Sequence, residues 1–336
     1  MNQERVLLAH GSGGLMSQGL IERIFKQYWS NPHLDDMLDG AVLQLPVNRI
    51  AVSTDSFVIT PLFFPGGDIG KLAVCGTVND LVACGARPLY LSAAFIIEEG
   101  LSIRDLEQIV KSMAQTAAAA GVKLVTGDTK VVEKGSADQV FINTTGIGVI
   151  DSEVSLHPRC IKPGDQVIVT GQVGDHGLAI LAQREGLAFS TPAESDCAAL
   201  HHLSALVSKY PAQIKCMRDP TRGGLATVLN EIATQAGLGI VVEEQRIPVS
   251  AVVKGACDML GMDPLYMANE GKMVIFASRE GIDDLMRELL SNPLTQGATI
   301  IGEVVANHPG MVLLKTALGA KRILSTLEGE HVPRIC

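Results

Sequence analysis

Residues 69–97 read IGKLAVCGTVNDLVACGARPLYLSAAFII, and this stretch decides the fold class. From Ile69 to Cys84 small and apolar residues predominate, which predicts a buried helix. From Leu89 to Ile97 an apolar run of strand length follows. A buried helix that leads directly into a buried strand is typical of an α/β unit.

The segments on both sides of this stretch extend the same unit. We predict a strand from Ile50 to Ile59, a helix from Ser102 to Ala120, and strands from Lys123 to Thr126 and from Val140 to Ile150. Ser102 and Asp105 form a weak capping box at the start of the second helix. Such a sheet exposes one face unless something covers it. The simplest cover is a second copy of the same surface, so we predict a symmetric dimer.

The second half of the chain follows a linker that is rich in turn residues. The linker contains His157-Pro158-Arg159 and Lys162-Pro163-Gly164-Asp165, and strands mix with helices beyond it. With 336 residues, 47% of them hydrophobic, the chain is longer than one core usually organises. We therefore predict an α/β (α+β) protein with an N-terminal domain at 1–155, a C-terminal α/β domain at 156–325 and a mobile tail at 326–336.

The composition argues against several classes of protein. The formal net charge of −9 disfavours nucleic acid and anionic membranes as partners, because both select clustered Lys and Arg. The N-terminus lacks a basic leader with a long apolar run, so we expect a cytoplasmic protein without a spanning helix. The 7 cysteines are odd in number and contain no Cys-x-x-Cys pair, which argues against a disulfide framework or a structural zinc site. All of them except Cys336 are expected to be buried in ordinary helices or strands.

A glycine-rich motif stands near the N-terminus. It reads His10-Gly11-Ser12-Gly13-Gly14, and a helix is predicted to begin near Met16. Glycines let the backbone fold closely round a ligand, and N–H groups ahead of a helix attract an anion. The motif predicts phosphate binding, but a flexible leader would have the same composition.

Three acidic motifs indicate a cation. They are Ser53-Thr54-Asp55-Ser56, Asn79-Asp80 and Gly127-Asp128-Thr129-Lys130. A carboxylate among apolar residues needs a cation or hydrogen-bond donors. If the three converge, they suit one or more Mg²⁺ ions that bridge phosphates, with Lys130 close to phosphate or to a reacting group. Taken singly, each motif is also compatible with a helix cap or a turn.

Two further motifs lie in the second half of the chain. Asp219 precedes Gly223-Gly224 and a predicted helix, and Glu270 lies between a predicted loop and a strand. Asp219 is compatible with ligand binding or with an ordinary helix start. Glu270 is compatible with a positioned general base or with an ordinary turn. The chain has no P-loop, because neither of its two Gly-Lys pairs has the upstream Gly and the following Ser or Thr of that motif.

The sequence closes with Pro333-Arg334-Ile335-Cys336. Free cysteine is among the most buried residue types, so a thiol at the last position is compatible with a chemical role, and its position alone is equally compatible with an arbitrary chain end. Extended, about ten residues span roughly 33 Å, which lets such a tail enter a pocket or leave it. The α-carboxylate should raise the pKa of the thiol and Arg334 should partly offset it, so we expect activation in a pocket or in a partner's site.

Together these motifs resemble the HypE family of hydrogenase maturation proteins, which belongs to the superfamily of aminoimidazole ribonucleotide synthetase, selenophosphate synthetase and thiamine-monophosphate kinase. The resemblance runs end to end and is most specific at Pro333 to Cys336. It implies a two-domain PurM-like fold, with a dimeric sheet or barrel formed by the N-terminal domains and ATP and Mg²⁺ near the subunit seam. It assigns ATP to Gly11, Ser12, Gly13, Gly14, Asp55, Asp80, Gly127, Asp128 and Asp219, and Mg²⁺ to Asp55, Asp80 and Asp128.

The resemblance also implies a reaction. The carbamoyltransferase HypF places a carbamoyl group on Cys336, ATP-dependent dehydration converts it to a thiocyanate, and the cyano group passes to iron held by HypC and HypD. Phosphorylation makes the amide oxygen a leaving group while a base takes the nitrogen proton; Glu270 is the candidate base and Lys130 the other participant. Two alternatives stay open, namely a non-catalytic thiol carrier and a small-molecule kinase or synthetase of the same superfamily.

Overall fold

The fold comes from a computed structural model. It describes residues 4–11, 15–31, 49–187, 192–326 and 334–336. The strands are β1 (Ile50–Phe57), β2 (Phe63–Phe64), β3 (Gly67–Asp68), β4 (Arg87–Glu98), β5 (Lys123–Val132), β6 (Val140–Val149), β7 (Gln166–Val169), β8 (Ile214–Arg218), β9 (Gly239–Glu243), β10 (Val274–Ala277), β11 (Thr299–Val305), β12 (Val312–Lys315) and β13 (Lys321–Ile323). The helices are α1 (Leu15–Leu20), α2 (Gln27–Trp29), α3 (Ile69–Ala83), α4 (Ile103–Ala119), α5 (Asp175–Glu185), α6 (Leu203–Lys209), α7 (Gly224–Ala236), α8 (Ala251–Leu260) and α9 (Ile282–Ser291).

The first sheet has the strand order β1-β6-β4-β5. Its β4 and β5 are parallel, and its other neighbours are antiparallel. Helix α3 packs on β1 and β6, and α4 packs on α3. Gly70 lets the two helices approach, since a Cβ there would overlap the main-chain oxygen of Ile109 in α4. The helix built from residues 69–83 is therefore the centre of this half, as its apolar sequence predicts.

The opposite face of the first sheet carries apolar side chains with no cover from the described part of the chain. Ile50, Val52 and Ile96 are 49%, 60% and 45% exposed. Along β1 the exposed positions alternate with positions that face α3, as the pleat of a strand requires. The open sheet face expected from the sequence is thus present.

The second sheet has the order β13-β12-β9-β11-β7-β10-β8. Strands β10 and β8 are antiparallel neighbours, with Val274 opposite Arg218. Because β10 begins where β8 ends, the loop before β10 and the loop after β8 lie side by side. This topology brings Glu270 next to Asp219.

Most predicted elements are confirmed, and the exceptions have local causes. Strand β5 continues through Gly127-Asp128-Thr129-Lys130, where the sequence predicted that the strand would end. Ser102 does begin α4, but its hydroxyl is buried without a partner, so the predicted capping bond is wrong. Strands β2, β3, β8 and β13 were not predicted. The two sheets lie on either side of the predicted boundary near residue 155, and the exact domain limits stay a prediction.

The cysteines follow the burial prediction only in part. The four at positions 75, 197, 216 and 257 are buried, Cys160 is half-buried, and Cys84 is exposed, so the prediction is wrong for Cys84. None of the seven forms a disulfide. No described helix combines the length and the apolar character that crossing a membrane requires.

Candidate active site

Four acidic side chains from separate elements influence one another electrostatically. Asp55 lies on β1, Asp80 on α3, Asp219 after β8, and Glu270 before β10. Burial is the first cause that raises the pKa of each, and the charge of a neighbouring carboxylate adds to it for Asp80, Asp219 and Glu270. The pKa of Asp219 rises to about 7. Carboxyl groups gathered in this way favour proton uptake or a cation.

Glu270 is the most enclosed of the four. Its side chain is 3% exposed, and its Oε1 atom has no hydrogen-bond partner among the described residues. Burial, followed by the charges of Asp219 and Asp196, raises the pKa of Glu270 well above its ordinary value. A buried carboxyl with an unpaired oxygen is costly for the fold, which is typical of a functional group.

The loop that carries Glu270 is fixed from three sides. Asp196 accepts hydrogen bonds from the backbone N–H of Glu270 at 3.0 Å and of Gly271 at 3.3 Å, and it also pairs with Lys272. Asn269 accepts from the N–H of Gly174 and donates to the carbonyl of Pro220. A side chain on Gly271 would overlap the main-chain oxygen of Asp196. The loop therefore presents Glu270 in one backbone position.

Helix α3 joins this loop to the first half of the chain. The side-chain amide of Asn79 donates to the carbonyls of Ala198, at 3.0 Å, and of Glu270, at 3.3 Å, and its oxygen accepts from the N–H of Leu200. On the next residue, Asp80 accepts a 2.6 Å hydrogen bond from the hydroxyl of Ser53 on β1. The Asn79-Asp80 motif thus connects the two halves of the site.

The last three residues lie in the same region. The guanidinium of Arg334 donates to Asp138 at 2.6 Å and to the carbonyl of Val58 at 3.0 Å. The side chain of Ile335 is 5% exposed and belongs to the main hydrophobic core. The N–H of Val58 donates to the main-chain oxygen of Cys336 at 3.0 Å. The described end of the chain is therefore inserted beside β1, with Cys336 half-buried.

Insertion suppresses ionisation of the thiol. The pKa of Cys336 rises to about 12, first because of burial and then because of the charge of Glu270. Arg222, which precedes α7, acts in the opposite direction. Arg334 is paired with Asp138 and is not among the groups that act on the thiol. The chain's own pocket therefore does not activate Cys336. The expectation that the thiol is activated in a pocket is wrong for this pocket, and activation in a partner's site stays a prediction.

Sequence reasoning also missed two residues of helix α5 that touch the tail. His176 on α5 is fully buried, and its Nε2 lies 2.8 Å from the carbonyl oxygen of Ile335. Arg184, two turns further along α5, donates to the carbonyl of Arg334 at 2.9 Å. The only signal in the sequence is the run Gly174-Asp175-His176-Gly177, a histidine between two glycines at a helix start.

Asp128 and Lys130 lie elsewhere. They form a 2.8 Å ion pair on β5, and their side chains are 59% and 64% exposed. The hydrogen bond from Lys130 lowers the pKa of Asp128. Since β1 and β5 are the two edges of a four-stranded sheet, Asp128 is on the order of 14 Å from Asp55.

The predicted metal ligands are consequently not all together. Asp55 and Asp80 are neighbours, and Asp128 is across the sheet from them within one chain. Among the described residues no three His, Cys, Asp or Glu side chains form a group that could hold a metal ion. Any site that uses all three aspartates needs residues from a second molecule.

The structure describes only some of the glycines that were predicted to bind ATP. Gly11 ends a 3₁₀ turn, Leu8–Gly11, and Ser12, Gly13 and Gly14 lie outside the described residues. Gly127 has a packing reason, because a Cβ there would lie 2.5 Å from the main-chain oxygen of Ala93 on the neighbouring β4. Its predicted contact with ATP stays a prediction.

Family models match both halves of the chain. Residues 37–150 match the AIR synthase related protein N-terminal domain, and residues 162–314 match the AIR synthase related protein C-terminal domain. The carbamoyl dehydratase HypE of Rhodobacter capsulatus is 50% identical and covers 100% of this chain and 99% of its own length.

Two solved structures are closely similar. A hydrogenase maturation protein HypE in complex with ATP superposes with a TM-score of 0.94 at 47% identity, over 98% of this chain and 99% of that one. A chain of a HypE–HypF complex gives a TM-score of 0.81 at 48% identity, over 92% of this chain and 99% of that one. With full-length matches at this identity, the chain belongs to the HypE family of carbamoyl dehydratases, within the AIR synthase related proteins.

Proposed function

We propose that this chain dehydrates a carbamoyl group carried on its own Cys336 and so supplies the cyanide ligand of a hydrogenase iron centre. The balanced reaction turns the S-carboxamide and ATP into a thiocyanate, ADP and phosphate. The observation that carries the proposal is the insertion of Cys336 beside Glu270, an unpaired buried carboxyl that acts on the thiol. The alternatives of a thiol carrier and a small-molecule kinase are not favoured, because relatives near half identity along the full chain are named carbamoyl dehydratases.

Glu270 is proposed as the base. Removal of a nitrogen proton from the carbamoyl group requires a carboxylate within reach, and a raised pKa makes that carboxylate a stronger proton acceptor once it is ionised. Burial excludes water from the same place, which protects the product from hydrolysis. ATP supplies the phosphoryl group that converts the carbamoyl oxygen into a leaving group.

The raised pKa of the inserted thiol divides the reaction into two positions of the tail. A neutral thiol is a poor nucleophile, so carbamoylation belongs to the released tail, in the site of a carbamoyltransferase. Dehydration belongs to the inserted tail. The related HypE–HypF complex supports HypF as that carbamoyltransferase partner.

The donor set of Asp55 and Asp80 fits Mg²⁺. The two carboxyls are close enough for the charge of Asp55 to raise the pKa of Asp80, and Mg²⁺ usually takes one or two carboxylates together with phosphate oxygens. A bound Mg²⁺ offsets the negative charge of phosphate. The related ATP complex supports ATP binding in this family.

A dimer would complete the site. The exposed apolar face of the first sheet, with Ile50, Val52 and Ile96, supports pairing of two copies. Asp128 and Lys130 lie on an edge strand of that sheet, away from the site of their own chain. We therefore assign them to the partner's site, where Lys130 would contact phosphate. HypC and HypD as acceptors of the cyano group rest on the family resemblance. The cytoplasmic location stays an expectation from the sequence.

Mass spectrometry of the intact protein tests the function. With HypF, a carbamoyl donor and ATP, we expect Cys336 to gain one carbamoyl group and then to lose one water. A carrier would stop at the carbamoyl adduct, and a kinase would show no adduct. If Cys336→Ala protein gave the same products, the assignment of the thiol would be wrong.

Mixed dimers test the shared site. Lys130→Met and Glu270→Gln subunits should each be inactive alone. If Lys130 serves the partner's Glu270, random mixing restores about a quarter of the wild-type activity, because half of the dimers have one intact site. No recovery after mixing would place both residues in the site of one chain.

A further inference from the structure

Two side chains of helix α5 bind the main chain of the tail. Arg184 donates to the carbonyl of Arg334 at 2.9 Å, and His176 bonds the carbonyl of Ile335 at 2.8 Å. Together with the N–H of Val58 on the oxygen of Cys336, every main-chain carbonyl oxygen of residues 334–336 accepts a hydrogen bond. Contacts with the backbone fix how far the tail enters, independently of the side chains that it carries.

The hydrogen bonds around His176 determine which of its nitrogens carries the proton. A carbonyl oxygen only accepts, so Nε2 is protonated and donates to Ile335. In the neutral ring Nδ1 then accepts from the hydroxyl of Ser195, at 2.7 Å. The oxygen of Ser195 in turn accepts from the N–H of Cys197 at 3.1 Å. Burial lowers the pKa of His176, which favours this neutral form.

The surroundings of His176 keep the ring in place. The ring is fully buried and meets Phe64 edge-on, with 5.6 Å between the ring centroids. Phe64 belongs to the short hairpin of the first half of the chain, so both halves hold the imidazole. A donor fixed in this way loses little entropy when the tail binds.

The bond from His176 lies directly before the reacting residue. The Ile335 carbonyl belongs to the peptide group that contains the nitrogen of Cys336, and the N–H of Val58 holds the oxygen on the other side. With both sides of the Cys336 Cα fixed, its side chain leaves the backbone in one direction. Glu270 is the charged group that acts most strongly on the thiol in that position.

We infer that His176, held in its Nε2-protonated tautomer by Ser195, is a positioning residue that keeps the carbamoylated Cys336 against Glu270 during dehydration. This inference rests on the proposed function. It predicts that His176 matters for the inserted tail and not for the released tail. Carbamoylation by HypF and dehydration should therefore respond differently to its removal.

The test uses full-length His176→Phe, His176→Gln and Ser195→Ala proteins with HypF, a carbamoyl donor and ATP. The Phe variant keeps the ring contact but has no donor, so we expect single-turnover dehydration of carbamoylated Cys336 to slow at least about tenfold. The Gln variant offers an N–H near the position of Nε2 and should recover most of that loss. Ser195→Ala no longer holds the Nε2-protonated tautomer, so its dehydration rate should lie between those of the Phe and Gln variants.

A matched control is His201→Gln. His201 bonds the carbonyl of Ala199 through Nδ1 at 3.2 Å, which is the same kind of contact away from the tail. We expect neither step to change in this variant. Carbamoylation should remain at the wild-type rate, or rise, in all three test variants, because the tail leaves more readily.

Three outcomes would overturn the inference. Wild-type dehydration by the Phe variant would show that the donor is not needed. An equal loss in both steps would indicate a general defect of the fold. A Gln variant as slow as the Phe variant would show that loss of the hydrogen bond is not the cause of the slower dehydration. If the Phe variant fails to fold, the Gln and Ser195→Ala variants still decide the test. By contrast, wild-type protein that never loses water with ATP would contradict the proposed function itself.

Discussion

The chain holds two groups of charged residues that the sequence presents in the same way and the fold treats in opposite ways. Near the tail, burial raises the pKa of Asp55, Asp219 and Glu270. On the edge strand β5, a hydrogen bond from Lys130 lowers the pKa of Asp128. The first group is charged at a cost to the fold, and the second is stabilised as an exposed ion pair.

This difference separates what one chain completes by itself from what it presents to another molecule. The charges of the buried group already act on an internal ligand, the thiol of the inserted tail. The edge pair faces outward, on a sheet whose open face is apolar. Buried carboxyls need something to neutralise them, whereas an exposed pair needs a partner before it can act.

Replacement of the base should give the largest effect. Glu270→Gln keeps the shape of the side chain and removes the proton acceptor, so we expect dehydration to slow by about 10²- to 10⁴-fold. The free energy of unfolding should decrease less as the pH rises, because Gln removes a buried carboxyl whose pKa is raised in the folded state. Single-turnover mass spectrometry and urea denaturation measure the two. A rate within a few-fold of wild type would remove Glu270 from the mechanism.

Insertion of the tail should have the next largest effect, on the reactivity of the Cys336 thiol. A pKa of about 12 instead of 9.0 leaves the inserted Cys336 with about a thousandfold less thiolate at neutral pH. Alkylation of the C-terminal peptide should therefore be slower in the native protein than in the unfolded protein by up to that factor. The unfolded chain serves as the internal reference. Equal rates in both states would mean that the tail is not inserted in solution.

The pH dependence of stability should differ in sign between the two regions. The folded state holds the proton of Asp219 up to a pKa of about 7, whereas the unfolded state releases it near 3.8. The contribution of Asp219 therefore decreases the free energy of unfolding as the pH rises from about 4 to about 7. Asp219→Asn should flatten this slope in urea titrations at a series of pH values. An unchanged slope would contradict the buried position of its carboxyl.

Disruption of the exposed ion pair of Asp128 and Lys130 on β5 should have the smallest effect on stability. Asp128→Asn should change the free energy of unfolding by less than about 1 kcal/mol, because exposed ion pairs contribute little. Its pKa is lowered, so its contribution is present above the ordinary pKa and is lost as the pH falls, opposite to Asp219. Thermal denaturation at two pH values measures this. A loss of several kcal/mol would show that the pair is structural.

Local pattern was enough to predict the buried helix of residues 69–83, which contains Asn79-Asp80, and the strand β4 that follows it, because periodicity and small residues act within one segment. The role of His176 was not predictable in this way. Its partner is Ile335, 159 positions along the chain, and a buried histidine in a helix has no pattern of its own. Gly127 is a third case, where a motif expected to serve ATP also has a packing function that only the neighbouring strand reveals.

The core position of Ile335 gives the movement of the tail a thermal signature. Release exposes a side chain that is now 5% exposed, at a cost of about 1.5–3 kcal/mol, and hydration of that apolar surface increases the heat capacity. Hydrophobic contacts weaken on cooling, so the docked arrangement should loosen in the cold, and its van't Hoff plot should curve. One isoleucine thus makes the cycle of carbamoylation and dehydration dependent on temperature.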